Sequence, residues 1–269
     1  MLWHEQSFPA IAALDKDMPV VIPIAACEQH GEHLPVFVDT IQVTEIANRV
    51  EAEMRDQILL TPALWLGCSH HHIDFPGTIS VLPSLYTNII KSITKSILHA
   101  GFKRIFFLNG HGGNVVPGSQ ALTELVDEDD EADDAYLALS SWWSIGADKI
   151  VGDAVGAKTP NLSHACEYET SVMLFARPDL VDMDKIKPRD ALLQSDWFYS
   201  ERMDNKVSVF KRFHRLTETG HMGKPELATA EIGEAIVDIS VRETKAFLAE
   251  FATWPPLKAT RGSMAGGTG

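Results

Sequence analysis

Residues 105–114 read Ile105-Phe106-Phe107-Leu108-Asn109-Gly110-His111-Gly112-Gly113-Asn114, and a helical stretch follows near Val115 to Val126. Four unbroken apolar residues that give way abruptly to a polar, glycine-rich segment are the pattern of a strand covered on both faces of a parallel sheet. Pro19 to Ala26 is a second such run. Polar residues begin at Glu28, and a helical pattern with Ile41, Ile46, Val50 and Met54 runs from Asp39-Thr40 to about Arg55. Tyr136 to Leu139 is a third, ending in Ser140-Ser141-Trp142-Trp143. Between the runs, Leu85, Ile89, Ile90, Ile93 and Ile97 form one helical stripe that Ser84 can cap and Gly101 ends. Glu167 to Phe175 is helical and stops at Pro178, and Ile232, Ile236 and Ile239 mark a last helix from Pro225 to about Glu250. Strands alternating with helices predict an α/β fold. Residues 145–163 and 186–222 lack periodicity and are expected to be long loops walling a site.

The chain has 269 residues, 45% of them apolar and only 22% charged, which excludes a disordered or fibrous protein. No composition break divides it, so a single domain over 1–258 is expected, with 259–269 as a frayed tail. Thirty-seven acidic against 23 basic residues leave a net charge of −14, which disfavours nucleic acid and anionic membranes as partners. Much of that charge lies in Asp127 to Asp134, read as a solvated loop or helix end. There is no apolar run long enough to span a bilayer, and no basic segment leads into an apolar one at the start. Cys27, Cys68 and Cys166 form no Cys-x-x-Cys pair, which argues against a disulfide framework or a thiolate zinc site. The expected compartment is the cytoplasm.

In open α/β sheets ligands sit beyond the carboxyl ends of the strands, and there this chain is rich in metal-ligand types. Glu28 and His30 follow the first strand, and i, i+2 spacing in extended chain turns both to one side. Asp39 comes within reach if residues 31–38 loop back. His111 follows the second strand between glycines that leave its ring uncrowded. His164, Glu167 and Glu169 cluster at a predicted helix start. Each has a structural alternative: Asp39 as a helix cap, Glu167 and Glu169 as partners of a helix dipole, and His111 as a partner of backbone groups. Oxygen and imidazole donors without thiolate suit zinc, manganese or iron(II), and an acid between two ions would bridge them. The implied chemistry is hydrolysis. The glycine-rich segment lacks the lysine and hydroxyl of a phosphate loop, and Ser69 lacks a nucleophile elbow. Trp142 and Trp143 could stack on a flat substrate ring, and one of His70-His71-His72 is expected to function.

These residues resemble the creatininase family of metal-dependent amidohydrolases over about residues 19–240. Glu28-Gln29-His30-Gly31 through His33-Leu34-Pro35 and Asp39 is similar to the family's first metal motif. Phe75-Pro76-Gly77-Thr78-Ile79-Ser80 is similar to its Phe-Pro-Gly-Thr signature. Residues 109–114 resemble its second metal motif, and His164-Ala165-Cys166-Glu167-Tyr168-Glu169-Thr170-Ser171 its third. The resemblance implies a three-layer α/β/α sandwich with a mostly parallel central sheet, often assembled as a hexamer. It also implies a dinuclear centre where an activated hydroxide cleaves a C–N bond of a small amide, cyclic amide or formamide. Carried over, Glu28 and His111 hold one ion, His30 the other, and Asp39 bridges them. His164 faces substrate and, with Glu169, is a candidate proton relay, while His72 reaches substrate from the rim. True creatininases carry a glutamate where this chain has Gly113, so Glu167 is expected to supply the missing carboxylate and creatinine itself is disfavoured. Two alternatives accompany this reading: C–C hydrolysis of a cyclic diketone derived from an inositol, and a non-catalytic metal-binding protein.

Overall fold

The structure, a computed structural model, describes residues 1–202 and 205–258. The expected tail at 259–269 lies outside the described residues. In chain order the strands are β1 (Val20–Ile24), β2 (Leu59–Leu60), β3 (Arg104–Asn109) and β4 (Tyr136–Ser141). The helices are α1 (Phe8–Ala13), α2 (Val38–Glu53), α3 (Pro83–His99), α4 (Val115–Glu128), α5 (Asp130–Asp133), α6 (Trp142–Gly146), α7 (Glu167–Ala176) and α8 (Ala230–Phe251). Among the described residues the strands form one parallel sheet in the order β2-β1-β3-β4.

Successive residues of a strand face opposite sides, and here both sides are apolar. Val21, Phe106 and Leu108 pack with Val43, Ile46 and Val50 of α2, Val172 of α7 and Ile236 and Phe251 of α8. Val20, Ile22, Ile105 and Phe107 pack on the other side with Tyr86, Ile90 and Ile97 of α3 and Leu122 and Leu125 of α4. The result is a three-layer α/β/α sandwich, which explains why the strands read as continuous apolar runs. The chain leaves β1 toward β2 on one side and returns to β3 on the other, so a topological switch point falls between β1 and β3.

Several local expectations change. α3 opens on Pro83 at its first turn with no side-chain cap, so Ser84 does not cap it. Leu85 of the predicted stripe is exposed, and Tyr86 and Thr94 are buried instead. Residues 145–163 contain the end of α6 and two 3-10 turns, whereas the described residues of 186–222 are irregular apart from a turn at Phe213–Arg215 and one bridge between Gln194 and Tyr199. The acidic stretch ends α4 and forms α5, with Lys91 and Lys95 of α3 paired to Glu124, Glu128 and Asp129. All three cysteines are buried and unpaired. Among the described residues no helix is long and apolar enough to cross a membrane.

Candidate metal centre

Register brings the strand ends together. Ile24 pairs with Asn109 and Asn109 with Ser141, so the segments leaving β1, β3 and β4 emerge side by side. Asn109 then fixes the turn that carries His111: its Oδ1 accepts the His111 N–H at 3.1 Å, and its Nδ2 donates to the His111 carbonyl at 2.7 Å and to Ser141 Oγ at 2.9 Å. Asp39 projects from the first turn of α2, and Glu169 from the first turn of α7. Residues 31–37 do loop back, closed by the Glu28 N–H donating to the Val36 carbonyl at 2.8 Å.

The side chains converge on Asp39. Its Oδ1 lies 3.1 Å from His30 Nε2 and its Oδ2 lies 3.0 Å from His111 Nδ1. Glu28 Oε1 is 3.3 Å from the same His111 nitrogen, and Glu169 Oε2 is 3.9 Å from His30 Nε2. Each imidazole turns its other nitrogen to a backbone carbonyl, His30 Nδ1 to Glu28 at 3.1 Å and His111 Nε2 to Cys68 at 3.1 Å. A ring N–H donated to a carbonyl fixes the tautomer and leaves the opposite lone pair aimed at a common point, the arrangement of metal-ligating histidines. Glu28 Oε2, His30 Nε2 and Asp39 Oδ2 are buried without hydrogen-bond partners among the described residues. Orphaned carboxylate oxygens and imidazole nitrogens around one point are a donor set for divalent cations. His30, Asp39 and Glu169 could hold one ion, and Glu28 and His111 could hold another.

Without cations, protons take their place. Burial opposes charge on His30, but Asp39, then Glu169 and Glu28, outweigh it and raise its pKa to about 9. Burial is likewise overcome at His111 by Glu28 and Asp39, which push it well above the ordinary histidine value. Glu28 and Asp39 are buried too, yet His111 beside Glu28 and His30 beside Asp39 hold both below the usual carboxylate range. Glu169 differs, since burial dominates and pushes it up to about 7. His164 is held down to about 3 by burial and by His30.

A cavity of about 370 Å³ opens over this cluster. Glu28, Asp39, His111, His164 and Glu169 line its floor, and Trp143, Leu162, Phe198, Val207, Phe213 and Met222 its walls. The last four belong to or border the irregular 186–222 segment. His164 Nε2 donates to the Gln29 carbonyl at 2.8 Å, which leaves Nδ1 unprotonated, 3.7 Å from Glu28 Oε1. His72 is buried at the edge, with Nε2 3.4 Å from Glu28 Oε1.

Two expected site residues stand elsewhere. Glu167 is fully buried, but its Oε1 accepts the Lys158 N–H at 2.7 Å, and its Oε2 accepts both the N–H and the hydroxyl of Thr159 at 2.7 Å. Its carboxylate holds the 158–159 backbone and does not reach the cluster, so it does not replace a ligand lost at Gly113. Trp142 is buried in the core, at right angles to Trp143, and does not line the cavity, while Trp143 does. Two further residues, Gln29 and His33, brace the site. Gln29 Nε2 donates to the Gly220 carbonyl at 2.8 Å and to His72 Nδ1 at 2.9 Å, tying the wall loop to the first motif. His33 Nε2 meets Thr170 Oγ1 at 2.9 Å, joining that motif to α7. Both residues lie inside the 28–39 motif, which is the signal that could have found them.

Comparison with known proteins agrees with this geometry. The family described as creatininase, creatinine amidohydrolase, matches residues 4–248. The mycofactocin precursor peptide peptidase of Mycobacterium tuberculosis (strain ATCC 25618 / H37Rv) is 30% identical over 249 residues, 88% of this chain and 86% of that protein. The creatinine amidohydrolase of Pseudomonas putida is 27% identical over 261 residues, 90% of this chain and 92% of that one. A solved mutant creatininase of Zn-Zn type superposes with a TM-score of 0.78 at 25% identity, covering 93% of this chain and 98% of that chain. The chain therefore belongs to the creatininase family of metal-dependent hydrolases.

Proposed function

We propose that the protein hydrolyses a C–N bond of a small amide at a dinuclear centre. Glu28, Asp39 and His111 would hold one divalent ion, and His30, Asp39 and Glu169 would hold the other. The observation that carries this reading is Asp39 itself, one carboxylate oxygen at His30 and the other at His111. Such ions, when bound, lower the pKa of water and polarise a carbonyl oxygen. Zinc is the first metal to test, given the Zn-Zn creatininase among the relatives, with manganese and iron(II) next.

The chain's own residues supply the rest. His164, neutral with a free Nδ1 lone pair facing the cavity, accepts a proton from the attacking water and returns it to the leaving nitrogen. Glu169, beside His30, would serve the ion shared with that histidine and not the proton relay. Trp143 and Phe213 exclude water from the walls and pack on the substrate, and His72 orients Glu28 through its Nε2–H. The substrate class is a peptide-like, formyl or cyclic amide, and short peptides are tested first because a relative is named as a precursor peptide peptidase. A homo-oligomer belongs to the same proposal, supported by exposed Leu82, Leu85, Val116 and Phe210, and light scattering on a sizing column measures it.

The test is elemental analysis of protein purified without added metal, followed by turnover assays on short peptides, formamides, cyclic amides and cyclic ketones. Two divalent ions per chain and C–N cleavage that a chelator abolishes are expected. Turnover of a cyclic diketone alone would move the activity to C–C hydrolysis. No turnover by the fully loaded protein would leave a metal-binding protein without catalysis.

A further inference from the structure

The three consecutive histidines His70, His71 and His72 form a 3-10 turn, where successive side chains diverge by about 120°. They therefore meet different surroundings. His70 is exposed, its Nδ1 3.1 Å from Ser80 Oγ. His72 turns one nitrogen to Gln29 and the other to Glu28. His71 is left, and its ring borders the cluster and lines the cavity above it. One of its ring nitrogens, a Glu28 carboxylate oxygen and a His111 nitrogen lie within 4.8 Å of one another. Its ring lies nearly parallel to His111, at 15°, with centroids 5.7 Å apart.

His71 makes no hydrogen bond among the described residues. The position opposite is a glycine for a spatial reason. A Cβ on Gly113 would stand 2.2 Å from the Cys68 carbonyl oxygen, 2.4 Å from His111 Nε2 and 2.9 Å from His71 Cε1. Any side chain at 113 would occupy the space that the His71 ring needs.

We propose that His71 is a ligand of the ion held by Glu28, Asp39 and His111, supplying from the 70–72 turn the donor that Glu167 does not provide. This rests on the dinuclear reading above. Its consequence is an asymmetric centre. The first ion meets two imidazoles and two carboxylates, and the second meets one imidazole and two carboxylates, so the first site favours zinc and the second admits a harder ion such as manganese.

The test titrates chelator-stripped full-length protein with zinc(II) and manganese(II) against a chromophoric chelator, for wild type, His71→Ala and His70→Ala. Wild type should show two sites of unequal zinc preference. His71→Ala should weaken one of them by about 100-fold or more and spare the other, and His70→Ala should change neither. Should His71→Ala fail to fold, a crystal structure of the zinc-loaded wild type decides, with a His71 nitrogen expected about 2.0–2.1 Å from one ion. Two sites of wild-type affinity in His71→Ala, equal weakening in His70→Ala, or a His71 nitrogen outside bonding distance would each overturn the assignment. Wild type that binds no ion would instead remove the dinuclear reading, and His71 with it.

Discussion

Asp39 is the residue where the two halves of the proposed centre would meet, because its two oxygens face different imidazoles. Asn at this position keeps the shape and loses the charge, and only one of its terminal atoms can accept. Asp39→Asn is expected to lower metal content below one ion per chain, measured by elemental analysis, and to reduce turnover by about 100-fold or more. Glu167→Gln has the opposite signature. Its amide nitrogen would face the Thr159 or Lys158 N–H, donor against donor, so stability should fall by about 1–3 kcal/mol while both ions stay bound. Chemical denaturation beside a metal count separates the two effects. The contrast between Glu167 and Glu169 was legible in principle: two residues apart on a helix means about 200° of rotation, so both cannot face one site. Which of them turns inward depends on how α7 docks, and the sequence does not carry that. The same holds for Trp142 and Trp143, neighbours that point apart, one into the core and one into the cavity.

At the scale of elements, the sequence reveals those with continuous apolar runs or a regular apolar stripe. β1 and β3 are buried along their whole length and stand out as apolar runs; β4, at the sheet edge, is only partly buried, yet it packs apolar residues on both sides and reads the same way; and α8 shows its isoleucine spacing. β2 has two residues, too few for any period, and only its pairing with Val20 and Val21 defines it. The stripe on α3 misses Tyr86 and Thr94 because the helix is buried partly by α4, which puts mixed residues at its contact. The docking of α7 on α8 places Glu169, and it depends on one close approach. A Cβ on Gly233 would lie 2.0 Å from the Ser171 carbonyl oxygen and 2.9 Å from the Val172 nitrogen, backbone atoms that cannot swing aside. Gly233→Ala must push α8 from α7, and overpacking of this kind costs about 1–3 kcal/mol. Thermal melting should show that loss. Because α7 carries Glu169, affinity at the site shared with His30 should fall as well, while the site of Glu28 and His111 on the other side of Asp39 is spared.

Over the whole molecule, the buried histidines set the pH dependence of the metal-free protein, and they act in separate windows. His33 and His164 are held down to about 3 and His221 to about 4, burial being the first cause for each, and His72 lies well below its ordinary value. These four rings are neutral when folded and take up protons when unfolded, so from the unfolded pKa of about 6.5 downward stability falls as pH falls. Glu169, raised to about 7, binds its proton more tightly when folded and opposes them with a single proton between its unfolded value and 7, which four histidines outweigh. His30, raised to about 9, and His111 behave in the reverse sense: their stabilisation is fully present below about pH 6.5 and is lost as pH rises toward 9. Together these windows put maximum stability of the stripped protein near pH 6.5. Melting temperatures in excess chelator should therefore drop by about 5 °C or more on going from pH 6.5 to 4.5, and should drop again toward pH 9. Bound cations displace the protons of His30 and His111, so the alkaline loss should vanish in the loaded protein while the acid loss remains. A stripped protein whose melting temperature keeps rising to pH 9 would mean that His30 and His111 hold no extra protons, and that the negative field assigned to Glu28 and Asp39 is absent.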